Sequence, residues 1–505
     1  MCSFMKRIVT LFLISLVIFS SFHAISTQNN QSLFIELDDQ QTNGMITHYG
    51  DINCGPLPNI GVADGVDLTT NYQQIGIDFI RTHDFGGPTD ISTIFPDFDA
   101  DPSDPSSYNF TSSDYHITSI INAGCRVFYR LGESASTNKS LRELPVDFQK
   151  WAEICKHVVM HYNTGWAHGF YYNITHWELW NEPDLRGFWN GTASQYFELY
   201  KTTVQTLKSY DPTLNIGGPC TSSVYNENFT TRFLQYLVDN QLPLDFYSWH
   251  MYTKSPHELF IASSFIRQLL DAYGFSTTEN INSEWNFDIL APQRDKDNAL
   301  NAAFTACCLS SFLDAGLDYS FRYRGTQDHN LFSRFIGFDL ALFSYDGLFK
   351  TPALTYLAFQ YLTKESPIRL STPIMDAADG ITFVAGISED NTNISIILSN
   401  YAGSNQDYTI SMNQVPWNST HQLIHYCIDE NNHLEIITKL DQDFPSLQYS
   451  HTLNTSSVHF IRLTNASTIP EEGPMVLEIP FFLRLKILDP IRAVLGLIVM
   501  IIFFG

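Results

Sequence analysis

The chain has 505 residues, 44% of them apolar and 14% aromatic, with 53 acidic against 28 basic residues and a formal net charge of −25. That composition supplies core for one large domain plus a smaller one and excludes a disordered chain. No basic cluster interrupts the acidic excess, so nucleic acid and anionic membrane surfaces are repelled, and polyanionic glycans are disfavoured unless a local arginine overrides the average field.

The first residues read as a targeting segment. Lys6 and Arg7 precede an apolar run from Ile8 to about Phe19, and Ala24-Ile25-Ser26 offers small residues for cleavage, making 1–26 a signal peptide. Ten N-x-S/T sequons, at Asn30, Asn109, Asn138, Asn173, Asn190, Asn228, Asn393, Asn418, Asn454 and Asn465, fit a secretory route, extracellular or lysosomal. With Cys2 removed, seven cysteines remain, and none shows C-x-x-C or Cys/His metal spacing. One to three disulfides are expected, with no metal site and no cofactor.

Strand-like and helix-like segments then alternate, as in parallel α/β folds. Strands are expected near 46–50, 77–82, 126–131, 175–181, 214–219, 245–250, 280–285 and 317–323. Helices are expected near 67–75, 114–123, 147–162, 193–209, 229–240, 257–273, 297–314 and 351–363. Ser113-Asp114 reads as a helix cap and Asn122-Ala123-Gly124 as a helix end. Phe95 to Phe110, rich in Asp, Pro and Ser, reads as an exposed loop at the mouth of the fold. After Leu362 short alternating runs such as Ile381-Thr382-Phe383-Val384-Ala385 predict a small β-sandwich over 366–468. In the last segment, 469–505, Ala493 to Gly505 is continuously apolar. At ~1.5 Å per residue this tail covers about 20 Å, short of a ~30 Å hydrocarbon core. A lipid-anchor signal, a short tail that associates with a membrane and a buried terminal element all remain open for it.

Two stretches carry chemistry. In Trp177-Glu178-Leu179-Trp180-Asn181-Glu182-Pro183 an apolar run ends in a carboxylate that the following proline holds at a chain break. In Asn280-Ile281-Asn282-Ser283-Glu284-Trp285-Asn286 a second strand-like run carries one glutamate. Either alone is more often a turn residue than a catalyst. Together, Glu182 and Glu284 are what glycosidic cleavage needs, one acid for the leaving oxygen and one carboxylate to attack the anomeric carbon.

The segment His176 to Tyr200, HWELWNEPDLRGFWNGTASQYFELY, resembles the acid/base segment of glycoside hydrolase family 39, the family of β-xylosidases and α-L-iduronidase. Arg81-Thr82-His83, Ile216-Gly217-Gly218-Pro219, Asp245 to His250, Glu284-Trp285-Asn286 and Lys350-Thr351-Pro352-Ala353 agree in order, so the resemblance covers roughly 45–365. It implies a retaining hydrolase on a (β/α)8 TIM barrel, here 27–365, with a β-sandwich accessory domain. It places the acid/base, Glu182, at the end of strand four and the nucleophile, Glu284, at the end of strand seven. Asn181 then matches a donor to the sugar 2-hydroxyl.

Other residues at expected strand ends are candidates for substrate contact: His83, His250, Tyr252 and Trp285, the last as a sugar-stacking face beside Trp180 and Trp249. Arg322 and Arg324 sit where one guanidinium would hold a carboxylated sugar, or would simply pair with a neighbouring acid. The chain lacks the aspartate-rich context associated with the iduronidase nucleophile, and Ser-Glu-Trp-Asn is closer to the β-xylosidase type. The expected partner is a glycan or glycoside, cleaved by an exo-acting β-xylosidase-like enzyme. An α-L-iduronidase-like hydrolase, an endo-glycanase and a non-catalytic glycan receptor are the alternatives.

Overall fold

A computed structural model describes residues 32–468 apart from 59–65, 84–86, 135–142, 326–338, 345, 418–419 and 444. The expected signal peptide and C-terminal tail lie outside the described residues. Among the described residues no helix is long and apolar enough to cross a membrane.

Two short strands, β1 (Leu33–Glu36) and β2 (Thr42–Met45), come first. Eight parallel strands then close into a barrel: β3 (Asp51–Asn53), β4 (Phe79–Arg81), β5 (Arg126–Leu131), β6 (His176–Leu179), β7 (Asn215–Thr221), β8 (Phe246–Thr253), β9 (Glu279–Phe287) and β10 (Tyr319–Arg322). Each pairs with its neighbour in sequence, and β10 closes onto β3. Inside, Phe79, Phe128, Phe246, Ile281 and Phe321 form one apolar cluster. Polar side chains take over beyond it, at the C-terminal ends where barrels build their sites.

The first barrel strand is displaced from its expected place at 46–50. Asp51 and Asn53 are buried although polar, which hid the strand, while the apolar signal of 46–50 serves other contacts. Tyr49 donates its hydroxyl to the carbonyls of Phe312 and Leu317 at 3.0 and 2.8 Å.

Local chemistry fixes several helices. Thr192 and Gln195 form a reciprocal capping box at the start of Ala193–Tyr210. Asp147 caps Phe148–Thr164, which ends at Gly165 in the left-handed conformation. The expected Ser113-Asp114 cap is not one. Helix Thr111–Asn122 starts earlier, at Phe110, without a side-chain cap. Ser113 instead donates to the Phe110 carbonyl, and Asp114 bonds His161 and Tyr162. The loop before it does not stay at the mouth. Tyr108 packs on Trp166, and Phe110 stacks on His161 at 3.5 Å, both near the C-terminal end of helix Phe148–Thr164.

The chain continues as β11 (Ile368–Leu370), β12 (Ile381–Ile387), β13 (Asn393–Asn400), β14 (Gln406–Met412), β15 (His421–Ile428), β16 (His433–Gln442), β17 (Leu447–Leu453) and β18 (Ser457–Asn465). These build a sandwich: a three-stranded sheet, β1-β14-β17, faces a seven-stranded one, β16-β15-β18-β13-β12-β11-β2. Residues 33–45, placed by the sequence reading in the barrel segment 27–365, therefore belong to the sandwich. Two four-residue strands are too short to reveal their side through alternation. Helix Ala299–Phe312 lies between the units and is buried almost all round, with Phe304 against Tyr401 and Cys307 Sγ 3.1 Å from Ser399 Oγ.

The expected disulfides do not form among the described residues. Cys54, Cys125, Cys155, Cys220, Cys307, Cys308 and Cys427 are all buried thiols. Cys125, Cys155 and Cys308 pack in the barrel's apolar core, where a thiol behaves as a small apolar group, while Cys220, Cys307 and Cys427 lie against polar side chains.

Candidate active site

The ends of β6, β7, β8 and β9 meet around two glutamates. β6 stops at Leu179, and the chain turns through Trp180 and Glu182, whose φ angles are 75° and 46°. Opposite them Cys220 has φ 56°. Left-handed backbone at residues other than glycine costs about 1–3 kcal/mol each and persists where surroundings enforce it. Here the Glu182 amide donates to the Cys220 carbonyl at 2.9 Å, and the Trp180 amide to the Leu131 carbonyl at 2.7 Å.

Two bulges aim the side chains. In β7, Pro219 pairs with Ser248 and Thr221 with Trp249, which leaves Cys220 as an extra residue. In β9 the partners step from Asn282 to Glu284 against β8, and from Asn282 to Trp285 over two residues of β10, so Ser283 is extra. Bulges of this kind re-aim side chains beside active sites. Beyond Ser283, Glu284 enters the lumen and Trp285 faces the helices.

His250 joins the two carboxylates. Its Nδ1 lies 2.8 Å from Glu182 Oε1 and its Nε2 3.8 Å from Glu284 Oε2. One ligand-capable atom from each of the three groups falls within 4.8 Å of the others. Tyr252 donates its hydroxyl to Glu284 Oε1 at 2.5 Å. Beneath them Arg81, fully buried, donates to Glu178 at 2.7 Å, Asn53 at 3.0 Å, Asn181 at 2.7 Å and Glu284 at 3.3 Å, and also reaches Cys220 Sγ at 3.0 Å. The Asn181 Nδ2 is buried and makes no hydrogen bond, so it is the donor left over for a ligand.

These surroundings perturb both carboxyls. Burial first, then the negative charge of Asp184, pushes Glu182 up to about 8, against the pull of Arg81. Burial also raises Glu284, but His250, Arg81 and the Tyr252 hydrogen bond oppose it. Burial lowers His250 to about 4, which keeps its ring neutral between them. Both carboxyls are raised, and Glu182 is the one held protonated near neutral pH, as an acid beside a nucleophile must be.

Of the residues expected from sequence, Glu182, Glu284, Asn181, His250 and Tyr252 converge here. His83 lies beside them, buried at the end of β4 with no partner for Nδ1. Two do not converge. Trp285 is fully buried with its ring 5.3 Å from Phe312 and 6.3 Å from Phe304, so it fills the barrel–helix layer and presents no sugar-stacking face. Arg322, on the same outward side, donates to Thr305 at 2.6 Å and Asn301 at 3.2 Å and lies over the Trp285 ring. Strand alternation carried the warning for both, since Trp285 directly follows the inward Glu284 and Arg322 directly follows the inward Phe321. Trp180 and Trp249 are likewise core, packed on Trp151 and Trp189 and bonded to Asn280. The main charged neighbour of Glu182 is Asp184.

Sequence reading assigned no role to Arg81, Glu178, Asn53 or Cys220. A signal existed for two of them: Arg81 and Glu178 are charges inside apolar parallel strands, where a charge is expected only if paired.

An eight-stranded parallel barrel with two buried carboxylates at the ends of its fourth and seventh strands is the architecture of a barrel glycosidase. Within that class, the chain belongs to glycosyl hydrolases family 39, whose sequence pattern matches residues 35–435. It is 29% identical to a beta-xylosidase of Geobacillus stearothermophilus over 284 residues, 50% of this chain and 54% of that protein. With a beta-xylosidase of Caldicellulosiruptor saccharolyticus it shares 27% identity over 194 residues, 35% of this chain and 37% of the relative. The chain thus spans about half or less of these relatives' lengths. In fold it resembles a glucosidase from Croceicoccus marinus, with a TM-score of 0.76 and 23% identity over 87% of this chain and 100% of the other.

Proposed function

We propose that this chain hydrolyses β-xylosides from their ends by double displacement, with retention at the anomeric carbon. The observation that carries the reading is the Glu182–Glu284 pair, with one oxygen of each within 4.8 Å and His250 between them. Retaining hydrolysis needs carboxyls about 5–5.5 Å apart, whereas inversion needs room for a water at about 6.5–9.5 Å. Glu284 attacks the anomeric carbon while Glu182 passes its proton to the leaving oxygen, giving a glycosyl ester and the free aglycone. Glu182 then takes a proton from water, whose oxygen displaces Glu284 and restores both carboxyls. Asn181 donates to the sugar 2-hydroxyl.

Partial identity to two beta-xylosidases supports the pentoside. The outward turn of Arg322 removes that guanidinium as a holder of a carboxylated sugar, since it bonds Thr305 and Asn301 instead. A secretory glycoprotein is the matching location. Asn109, Asn173, Asn190, Asn228 and Asn454 are exposed, Asn393 and Asn465 half-buried, so every described sequon asparagine reaches the surface. The apolar tail would then associate the enzyme with a membrane.

Turnover of aryl β-xyloside, β-glucoside, β-galactoside and α-iduronide by the wild type and by Glu284→Ala tests this. Cleavage of the xyloside, lost in the variant, is expected. Cleavage of another sugar instead would overturn the substrate, and silence across the panel from folded protein would favour an endo-acting enzyme or a receptor.

A further inference from the structure

We propose that His425, His451 and His459 bind a divalent transition-metal ion of the zinc class between the two sheets of the sandwich. His425 on β15 and His459 on β18 come from adjacent strands of the seven-stranded sheet, where His459 stands opposite Cys427, two residues along from His425. His451 on β17 comes from the facing three-stranded sheet. The three rings meet with centroids 4.6, 4.9 and 5.6 Å apart. No motif announces them, because the spacing is set by the sandwich and not by the chain.

The geometry suits an ion. One nitrogen from each ring lies within 4.8 Å of the other two, so a point exists no more than about 2.8 Å from all three, against about 2.0–2.1 Å for a zinc–imidazole bond. Shifts of under about 1 Å complete the coordination. Each Nδ1 already has a partner outside the cluster: Tyr449 Oη at 2.8 Å for His425, Tyr408 Oη at 3.1 Å for His459, and the Thr452 carbonyl at 3.1 Å for His451. Outer hydrogen bonds of this sort orient histidine ligands and leave the other nitrogen for the metal.

A second observation points the same way. His425 is fully buried, and its Nε2 has no hydrogen-bond partner. A buried unsatisfied group costs about 1–3 kcal/mol, which a bound cation would offset. Imidazole donors suit zinc, copper and nickel over magnesium or calcium. An ion held by both sheets would cross-link the sandwich, leaving a fourth position for water.

The test uses the full chain without a histidine tag, stripped with chelator and titrated with Zn2+ by calorimetry and with Co2+ by visible absorption. One equivalent per chain is expected, with a rise in thermal midpoint as binding favours the folded state. His451 is half-buried on a strand with a single partner, so His451→Ala should fold, as circular dichroism will report. It should weaken Zn2+ binding by roughly 100-fold or more. Glu284→Gln should leave binding intact, which separates this site from the Glu182–His250–Glu284 group. The proposal is overturned if no stoichiometric binding occurs, if His451→Ala binds like wild type, or if Glu284→Gln abolishes binding.

Discussion

Replacing Glu182 by Gln keeps the side chain's shape and its contact with His250 but removes the proton that the leaving group needs. Burial and Asp184 push Glu182 up to about 8, so roughly nine-tenths of the wild type carries that proton at about pH 7 and roughly one-tenth at about pH 9. In the wild type, kcat/KM on an aryl glycoside with a poor leaving group should therefore fall about ninefold across that interval. Glu182→Gln should lose about 10²–10⁴ in kcat/KM, or ~3–5 kcal/mol of transition-state stabilisation, and its alkaline limb should disappear. Asp184→Asn should move the limb to lower pH, because removing a nearby negative charge makes the carboxyl easier to ionise. Initial rates at substrate concentrations below KM, taken from pH 5 to 10, read all three. A Glu182→Gln enzyme that keeps wild-type activity, or keeps the same alkaline limb, would refute the assignment.

Arg81 and Glu178 are both fully buried, so Arg81→Met strands a carboxylate and should cost ~3–5 kcal/mol of stability by urea unfolding; an unchanged midpoint would show that Glu178 is not held by this pair. Tyr252→Phe removes a 2.5 Å donor to Glu284, worth ~1.5–3 kcal/mol to a charged acceptor, and should lower kcat/KM about 10–100-fold. That bond holds the Glu284 carboxyl down, so the acidic limb should move to higher pH, and a shift the other way would contradict the hydrogen-bond pattern. Trp285→Ala should cost ~3–5 kcal/mol of stability with KM unchanged while the protein is folded; a raised KM at unchanged stability would restore its sugar-stacking role.

The alternation of strand and helix was readable because barrel strands are apolar on both faces at places such as Val127-Phe128-Tyr129 and Phe246-Tyr247. The two glutamates were readable because each ends such a run. What failed shares one cause: residues whose role depends on which side of a strand they face. The extra residue at Ser283 brings Glu284 into the lumen and so leaves Trp285 outward, while Arg322 faces outward because Phe321, its neighbour on β10, fills the lumen. Arg81 was legible only as a charge inside an apolar strand, since a three-residue strand gives no periodicity to read. β1 and β2 were misplaced because their partners lie more than three hundred residues along the chain, a pairing that local pattern does not encode.

Incubation with an aryl 2-deoxy-2-fluoro-β-xyloside, followed by peptide mass spectrometry, tests the assignment of Glu284 most directly, because the fluorine slows release of the glycosyl ester. One adduct on the peptide containing Glu284 is predicted. An adduct on another carboxylate, or turnover of the unsubstituted xyloside to an inverted product with no adduct, would contradict the double displacement.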